Sequence, residues 1–348
     1  MTFDSANNLY FSNFTLNRGP QVAVIDASGT LTPIAGMPST ASFETTSGDG
    51  GDSLQASFAS LRGLALDPSG NVYVLDSGVY IRKLSPYNPT SPPPYLSVGG
   101  VIGAGGSVPA VAAVSPNGDA SIYGANFGAK HTLTSADLVN GKVPTSLAGI
   151  CASLGGVPAA ILGVYPGQVN VQVPALPPGP VTVQVTINCG KTNAVTSNFS
   201  GVVVQPASPE FFTFLPDPTA GRNPIAAVNA LTGALIGAPG LLPGASFSPV
   251  KAGDIVEAYG TGWGPTTPSF DLGVLPGAAG ALALPYAFTF AGTPLPAANI
   301  LYAGVAPCCA GLYQVNFKAP SGTQSGNQPL VITVNGIASS PNAFFTVQ

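Results

Sequence analysis

The chain has 348 residues, of which 44 are glycine and 36 proline; 45% are hydrophobic and only 7% charged, against about 25% charged in an ordinary soluble domain. Ten Lys and Arg against fourteen Asp and Glu give a net charge of -4 without basic clusters, so the footprint that nucleic-acid binding needs is missing. Apolar runs are broken by Gly, Pro, Ser or Thr well before the ~20 residues of a membrane helix, so no membrane span is predicted. Glycine and proline oppose helix interiors, and abundant Val and Thr favour strands. The composition therefore predicts an all-β chain of two or three domains.

From the N-terminus, residues 1–95 read as short strands separated by turns. Asn7-Asn8-Leu9-Tyr10-Phe11 precedes Val22-Ala23-Val24-Ile25, the turn Asp26-Ala27-Ser28-Gly29 and a strand from Leu31 to Ala35. The order recurs in Leu64-Ala65-Leu66-Asp67, the turn Pro68-Ser69-Gly70-Asn71, Val72-Tyr73-Val74-Leu75-Asp76 and Tyr80-Ile81-Arg82-Lys83-Leu84. Units of strands in fixed order mark a repeat architecture.

The stretch from Gly48-Asp49-Gly50-Gly51 to Ile81-Arg82-Lys83-Leu84 resembles an NHL repeat, a β-propeller blade, with Gly78-Val79 in place of the usual Asn-Asn pair. Residues 4–36 resemble the later part of a preceding blade. The resemblance implies about two blades, whereas a closed propeller takes roughly 4 to 8. Upstream sequence or other copies of the chain would have to supply the rest. Pro86, Pro89, Pro92, Pro93 and Pro94, followed by Gly99, Gly100, Gly103, Gly105 and Gly106, read as a stiff-then-loose boundary, with a linker at 96–108.

Beyond it the chain repeats in a second way. Ser121-Ile122-Tyr123-Gly124-Ala125-Asn126-Phe127-Gly128 corresponds to Glu257-Ala258-Tyr259-Gly260-Thr261-Gly262-Trp263-Gly264, and Gln168-Val169-Asn170-Val171-Gln172-Val173-Pro174 to Gln314-Val315-Asn316-Phe317-Lys318-Ala319-Pro320. A Gly-rich hairpin lies between these landmarks in each copy, and an alternating strand follows them. Duplicated β-sandwiches are predicted, over 109–206 and 207–348. These landmarks, with Pro209-Glu210-Phe211-Phe212-Thr213, resemble the tandem immunoglobulin-like domains at the C-terminal ends of large secreted bacterial proteins. That family is mostly uncharacterised, and such sandwiches host many roles.

Candidate chemistry is sparse. His131 is the single histidine; it sits in a polar loop without a G-x-S-x-G elbow, so a solvated loop residue is predicted rather than a triad base. Asp119, Asp137, Glu210, Asp217, Asp254, Glu257 and Asp271 read as turn carboxylates rather than a hydrolytic pair. Gly48-Asp49-Gly50-Gly51-Asp52 invites a calcium reading but lacks EF-hand spacing and reads as a turn. No catalytic, cofactor-binding or metal-binding residue is predicted.

The four cysteines are more informative. Cys151 and Cys189 fall in one predicted domain and are expected to pair, closing a loop worth roughly 3 to 4 kcal/mol. Cys308 and Cys309 are adjacent, so they form either a vicinal disulfide or a bond to a neighbouring chain. Oxidised cysteines imply an extracellular or cell-surface setting. Met1-Thr2-Phe3-Asp4 opens without a secretory leader, so an N-terminal part is expected to be missing or processed. Asn13-Phe14-Thr15 and Asn198-Phe199-Ser200 fit the N-glycosylation pattern. Trp263, the single tryptophan, is either a ligand platform or, by its alignment with Phe127, a packing residue.

Few charges are available to guard β edges against association. The partial propeller and sparse charge predict an extracellular structural protein. Its copies would assemble into a filament, sheath or surface layer by β-strand or blade complementation, with the chain itself as main partner. The alternative is an adhesive or glycan-binding module with a polysaccharide partner, or a noncatalytic appendage of a larger secreted protein.

Overall fold

The computed structural model describes residues 1–15, 19–36, 46–49, 53–84, 94–214 and 223–348. Helical structure among them is limited to 3-10 turns at Ser53–Gln55, Ser135–Asp137 and Ala297–Asn299, and the chain is all-β. Glu44, Gly50, Gly51, Asp52, Pro86, Pro89, Pro92, Pro93 and Asp217 lie outside the described residues. Two compact units are present: residues 1–96 with 185–187 and 191–199, and residues 97–184, 188–190 and 200–348.

The first unit holds two antiparallel meanders. One runs through Thr2–Phe3, Leu9–Thr15, Gly19–Ile25 and Leu31–Ala35, the other through Leu61–Leu66, Val72–Asp76 and Tyr80–Leu84. Both are entered through the same turn. Asp4 Oδ1 accepts the backbone N–H groups of Ala6 and Asn8, while its Oδ2 accepts the Asn8 amide and the Tyr10 hydroxyl. Asp67 does the same with Ser69, Asn71 and Tyr73. The residue before the asparagine is left-handed in both, Asn7 at φ 62 and Gly70 at φ 81, a conformation that Asn and Gly tolerate best.

The two meanders cover one another. Val22 and Ala35 of the first, Val72 and Val74 of the second, and the intervening Ala56 and Phe58 form one buried cluster, with Leu64 and Leu84 packed against it. Part of the apolar surface of these strands is thus covered within the unit, while Phe3, Leu31, Val79, Tyr80 and Ile81 remain exposed. Arg82, 8% exposed, lies 4.6 Å over the Phe58 ring. It donates to Asp49 Oδ1, Ser57 O and Ser47 O at 2.7, 2.7 and 2.8 Å. Asp49 and the buried Asp76, whose Oδ2 lies 3.4 Å from Arg82 Nη1, are thus the arginine's carboxylate partners.

The strands from Tyr95 onward form two β-sandwiches. In the first, one sheet is ordered His131–Thr132, Ala160–Tyr165, Gln168–Gln172, Asp119–Ala125, Tyr95–Gly103. The other is ordered Ser146–Leu147, Ile150–Leu154, Gly179–Ile187, Ser200–Val204, Ala113–Val114. The pleat explains the sequence: Val169 and Val171 are fully buried while Gln168 and Asn170 between them face outward. Cys151 and Cys189 are disulfide-bonded across a sequence separation of 38.

In the second sandwich, Ile255–Thr261, Tyr313–Lys318, Ile300–Val305 and Gly280–Leu282 are consecutive in one sheet. Ala343–Val347, Gly326–Val334 and Tyr286–Phe290 are consecutive in the other. Their shared core is aromatic, with Trp263, Phe211, Phe288, Phe317, Phe345 and Tyr313 buried together. Phe211 and Phe288 stand edge-on to the Trp263 ring at 5.5 and 6.1 Å.

The Gly-rich segment expected as a linker at 96–108 is folded. Tyr95–Gly103 is a nine-residue strand, and the backbone beyond it is fastened by the second sandwich. Glu210, 1% exposed, accepts the N–H groups of Gly105 and Ser107 at 2.9 Å each. A Cβ at Gly103 or Gly105 would collide with that carboxylate. These glycines serve close approach, not looseness. Asn223 exchanges a reciprocal pair of bonds with Val108 at 2.8 and 3.0 Å, and Gln172 Oε1 accepts from Gly273 N at 2.7 Å.

Candidate functional site: repeated aromatic and amide sheet faces

The duplicated landmarks meet as neighbouring strands. Tyr123 pairs with Gln168 and Ser121 with Asn170; Tyr259 pairs with Gln314 and Glu257 with Asn316. All eight occupy alternate positions that point away from the buried valines and alanines of the same strands. In the first sandwich the Gln168 amide donates to Asn170 Oδ1 at 2.6 Å and to Ser121 Oγ at 3.2 Å, and Ser121 donates to Asn170 at 3.1 Å. In the second, Gln314 donates to Asn316 at 2.8 Å, and the Tyr259 hydroxyl donates to Glu257. Burial and that carboxylate push the Tyr259 phenol up to about 12.

The third strand of each face adds another tyrosine beside a glycine. Tyr165 pairs with Gln168, and its ring lies 3.4 Å from where a Cβ on Gly163 would stand. At Gly304 a Cβ would strike the Gly280 carbonyl and the Tyr302 hydroxyl, and Tyr302 is pinned by donating to Val305 O at 2.5 Å and accepting from Gly280 N at 3.2 Å. Lys130 Nζ stands 5.7 Å from the Tyr165 centroid. Tyr123 is 39% exposed; Tyr165, Gln168, Asn170, Tyr259, Tyr302, Gln314 and Asn316 are half-buried. Ser121 is buried at 3% exposure, so the accessible groups of the first face are tyrosines, the Gln168 and Asn170 amides and the Lys130 ammonium over Tyr165, a surface suited to a polar ligand.

The residues singled out from sequence fall elsewhere. Trp263 is 0% exposed and donates its indole N–H to Glu210 O at 3.2 Å; it is core, like its counterpart Phe127, and is no ligand shelf. His131 Nε2 lies 3.0 Å from Asp137 Oδ1, but Asp137 is the capping carboxylate of Ser135–Asp137. Its Oδ2 accepts Thr134 N and Oγ1 at 2.8 and 2.7 Å, and these bonds hold it below the usual carboxylate range. Asp254 accepts Lys251 N at 2.8 Å in a turn. Asp271 sits 3.7 Å from Lys142.

Asn198 is 7% exposed, its amide donating to Leu96 O and its carbonyl accepting Leu96 N, so the folded chain hides this glycosylation triplet. Asn13 is exposed on Leu9–Thr15. Cys308 and Cys309 form a vicinal disulfide. No group of three or more His, Cys, Asp or Glu able to hold a metal occurs among the described residues. A cleft of about 460 Å³ beside Phe290, Thr293, Pro320, Gln324 and Gln328 has no ionisable side chain in its wall.

No family model and no curated protein matches the chain. Solved structures give similarities at 12% identity. SGBP-B of a Bacteroides ovatus mixed-linkage glucan utilization locus, in complex with a mixed-linkage heptasaccharide, is matched over 100% of this chain and 68% of that one, with a TM-score of 0.29. Fibronectin(III)-like modules of Clostridium thermocellum CbhA are matched over 71% and 94%, at 0.17. The gamma-CGTase of an alkalophilic Bacillus clarkii is matched over 98% and 40%, at 0.24. These superpositions are too low to assign a shared fold.

In the sequence Tyr123, Gln168 and Asn170 stand out as repeat landmarks, not as a surface. The period-two alternation around Val169 and Val171 was the available signal.

Proposed function

We propose that the chain is a noncatalytic glycan-binding module of an extracellular protein, holding a neutral polysaccharide against the outer faces of its sandwich sheets. The observation that carries this is the Tyr–Gln–Asn face, repeated in both sandwiches in the same strand register. Aromatic rings offer a flat apolar surface to the C–H face of a sugar ring, while neighbouring amides and hydroxyls exchange hydrogen bonds with its hydroxyls. Asp137, Glu210 and Asp254 are committed to a cap, to backbone N–H groups and to a turn, which supports a binding role over hydrolysis.

Two disulfides support an oxidising, extracellular setting, and no helix of the described residues is long and apolar enough to cross a membrane. The matched Asp4 and Asp67 turns support reading the first unit as NHL-type blades. The shared core of the two meanders supports the glycan-binding module over a filament built by blade complementation.

Retention of the chain in gels cast with neutral polysaccharides tests the proposal. The native protein is expected to be retarded. Tyr123→Ala is expected to raise Kd about tenfold, the loss typical of an aromatic anchor worth more than about 1 kcal/mol. Mobility unchanged across neutral glucans, mannans and xylans would overturn it.

A further inference from the structure

We infer that one end of the second sandwich is a binding cleft for a short, uncharged saccharide, separate from the sheet faces. The inference rests on the glycan-binding reading for its class of ligand and adds to it a site of different construction.

The cleft of about 460 Å³ falls within the roughly 300–1,000 Å³ of small-molecule sites. It opens between the hairpin of Tyr286–Phe290 with Thr293–Pro294 and the turn that joins Tyr313–Lys318 to Gly326–Val334. The first sandwich has the same hairpin in the same register, with Leu154 paired to Val157 as Phe290 is to Thr293. Gly155 N donates to Thr182 O as Ala291 N donates to Pro329 O, so Val181 corresponds to Gln328. In the first sandwich this corner is filled: side-chain carbons of Leu176 and Val181 stand 3.4 and 3.5 Å from where a Cβ on Gly155 would be. In the second, Gln328 takes the place of that valine and Thr293 that of Val157, and the turn from Pro320 to Gly326 is one residue longer than that from Pro174 to Gly179. The shared backbone thus accommodates a closed apolar corner, and the side chains of the second copy open it and line it with polar groups.

The wall indicates the ligand. It has no ionisable side chain, which suits an uncharged molecule. The side-chain amides of Gln324 and Gln328 and the hydroxyls of Thr293 and Ser321 bond to no described residue, whereas Gln168 and Gln314 on the sheet faces are spent on Asn170 and Asn316. An amide presents a donor and an acceptor side by side, which adjacent sugar hydroxyls reciprocate. Pro294, Pro296 and Pro320 give the rest of the wall a fixed backbone and C–H surface. Prolines carry no N–H, so this rim is unsuited to pairing with an added peptide strand, the usual way a sheet edge takes extended peptide. The chemistry therefore favours a saccharide over a peptide.

Two-dimensional NMR of the whole chain, titrated with cellotriose, mannotriose, xylotriose and a capped hexaproline peptide, tests this beside retention on the matching polymers. For the trisaccharide that binds, shifts are expected at residues 290–296 and 321–328, including the side-chain NH₂ signals of Gln324 and Gln328. Gln328→Val, which places there the residue type of the first sandwich, should raise Kd about tenfold. Gln324→Ala should act in the same direction, which keeps the test intact if Gln328→Val disturbs the fold by circular dichroism. Shifts confined to Tyr123, Gln168 and Asn170, a trisaccharide affinity unchanged in both variants, or polymer retention without any trisaccharide shift would overturn the cleft and leave the sheet-face reading standing. Binding of hexaproline alone, weakened by Gln328→Val, would overturn the saccharide assignment. Absence of binding to every trisaccharide and polymer would overturn both readings.

Discussion

Asp119 is the residue at which local chemistry is least satisfied. Its Oδ1 is shut from solvent without a hydrogen-bond partner, against Gly311, where a Cβ would overlap it. Burial raises its carboxyl well above the ordinary value, and its charge adds to the burial that raises the Tyr313 phenol. The sign of the linkage follows. Between the unfolded value near 3.9 and the raised folded value, the native state holds a proton that the unfolded chain has released. Stability contributed by the neutral carboxyl is therefore fully present at acid pH and is lost as pH rises through the folded value. Asp4, Asp26, Asp67 and Asp137 are shifted downward, so their losses fall at lower pH. Urea midpoints measured from pH 4.5 to 7.5 should decline for the native chain, and Asp119→Asn should flatten that decline and be the more stable form at pH 7.5. Parallel curves for the two proteins would contradict the assignment.

At the scale of elements, the Tyr-Gly-x-x-aromatic-Gly turn shows what a motif encodes. Its fourth position is left-handed in both copies, Asn126 at φ 63 and Gly262 at φ 73. At Gly262 a Cβ would also strike the carbonyl of Ser208. Gly262→Ala is therefore expected to destabilise by about 3 kcal/mol, from a left-handed backbone costing about 1–2 kcal/mol and an overlap of similar size. Asn126→Gly should stay within about 1 kcal/mol. Denaturant titration of both variants checks the contrast, and equal losses would refute it.

The turn was legible because its residues stand together in the sequence, and the same holds for the strand pattern around Val169. The matching turn at Asp4 was harder to see, because Ser5-Ala6-Asn7 replaces the plainer turn signals Pro68-Ser69-Gly70. The run from Gly99 to Gly106 misled, since composition does not distinguish a glycine chosen for freedom from one chosen for want of a side chain. What decides at Gly103 and Gly105 is a carboxylate more than a hundred residues away, which no local window contains.

Over the whole molecule, the two sandwiches are joined by buried polar groups as well as by apolar contact. Glu210 belongs to the second sandwich and satisfies two backbone donors leading into the first, and burial raises its carboxyl despite those bonds. Glu210→Ala should strand both N–H groups, at about 1–3 kcal/mol each. A loss of roughly 3 kcal/mol in chemical denaturation is expected, and a loss below about 1 kcal/mol would show the joint to be dispensable. Ala310, from the loop holding the vicinal disulfide, packs with Val143 and Ala160 of the other sandwich, so each copy lends side chains to its neighbour's interior.

That reciprocity bears on how such a protein can evolve. Recombination that severs the pair between Gln205 and Ser208 would leave each half with raw, unmet groups, whereas transfer of residues 95–348 together would carry the fastenings at Glu210, Asn223, Gln172 and Asn198 intact.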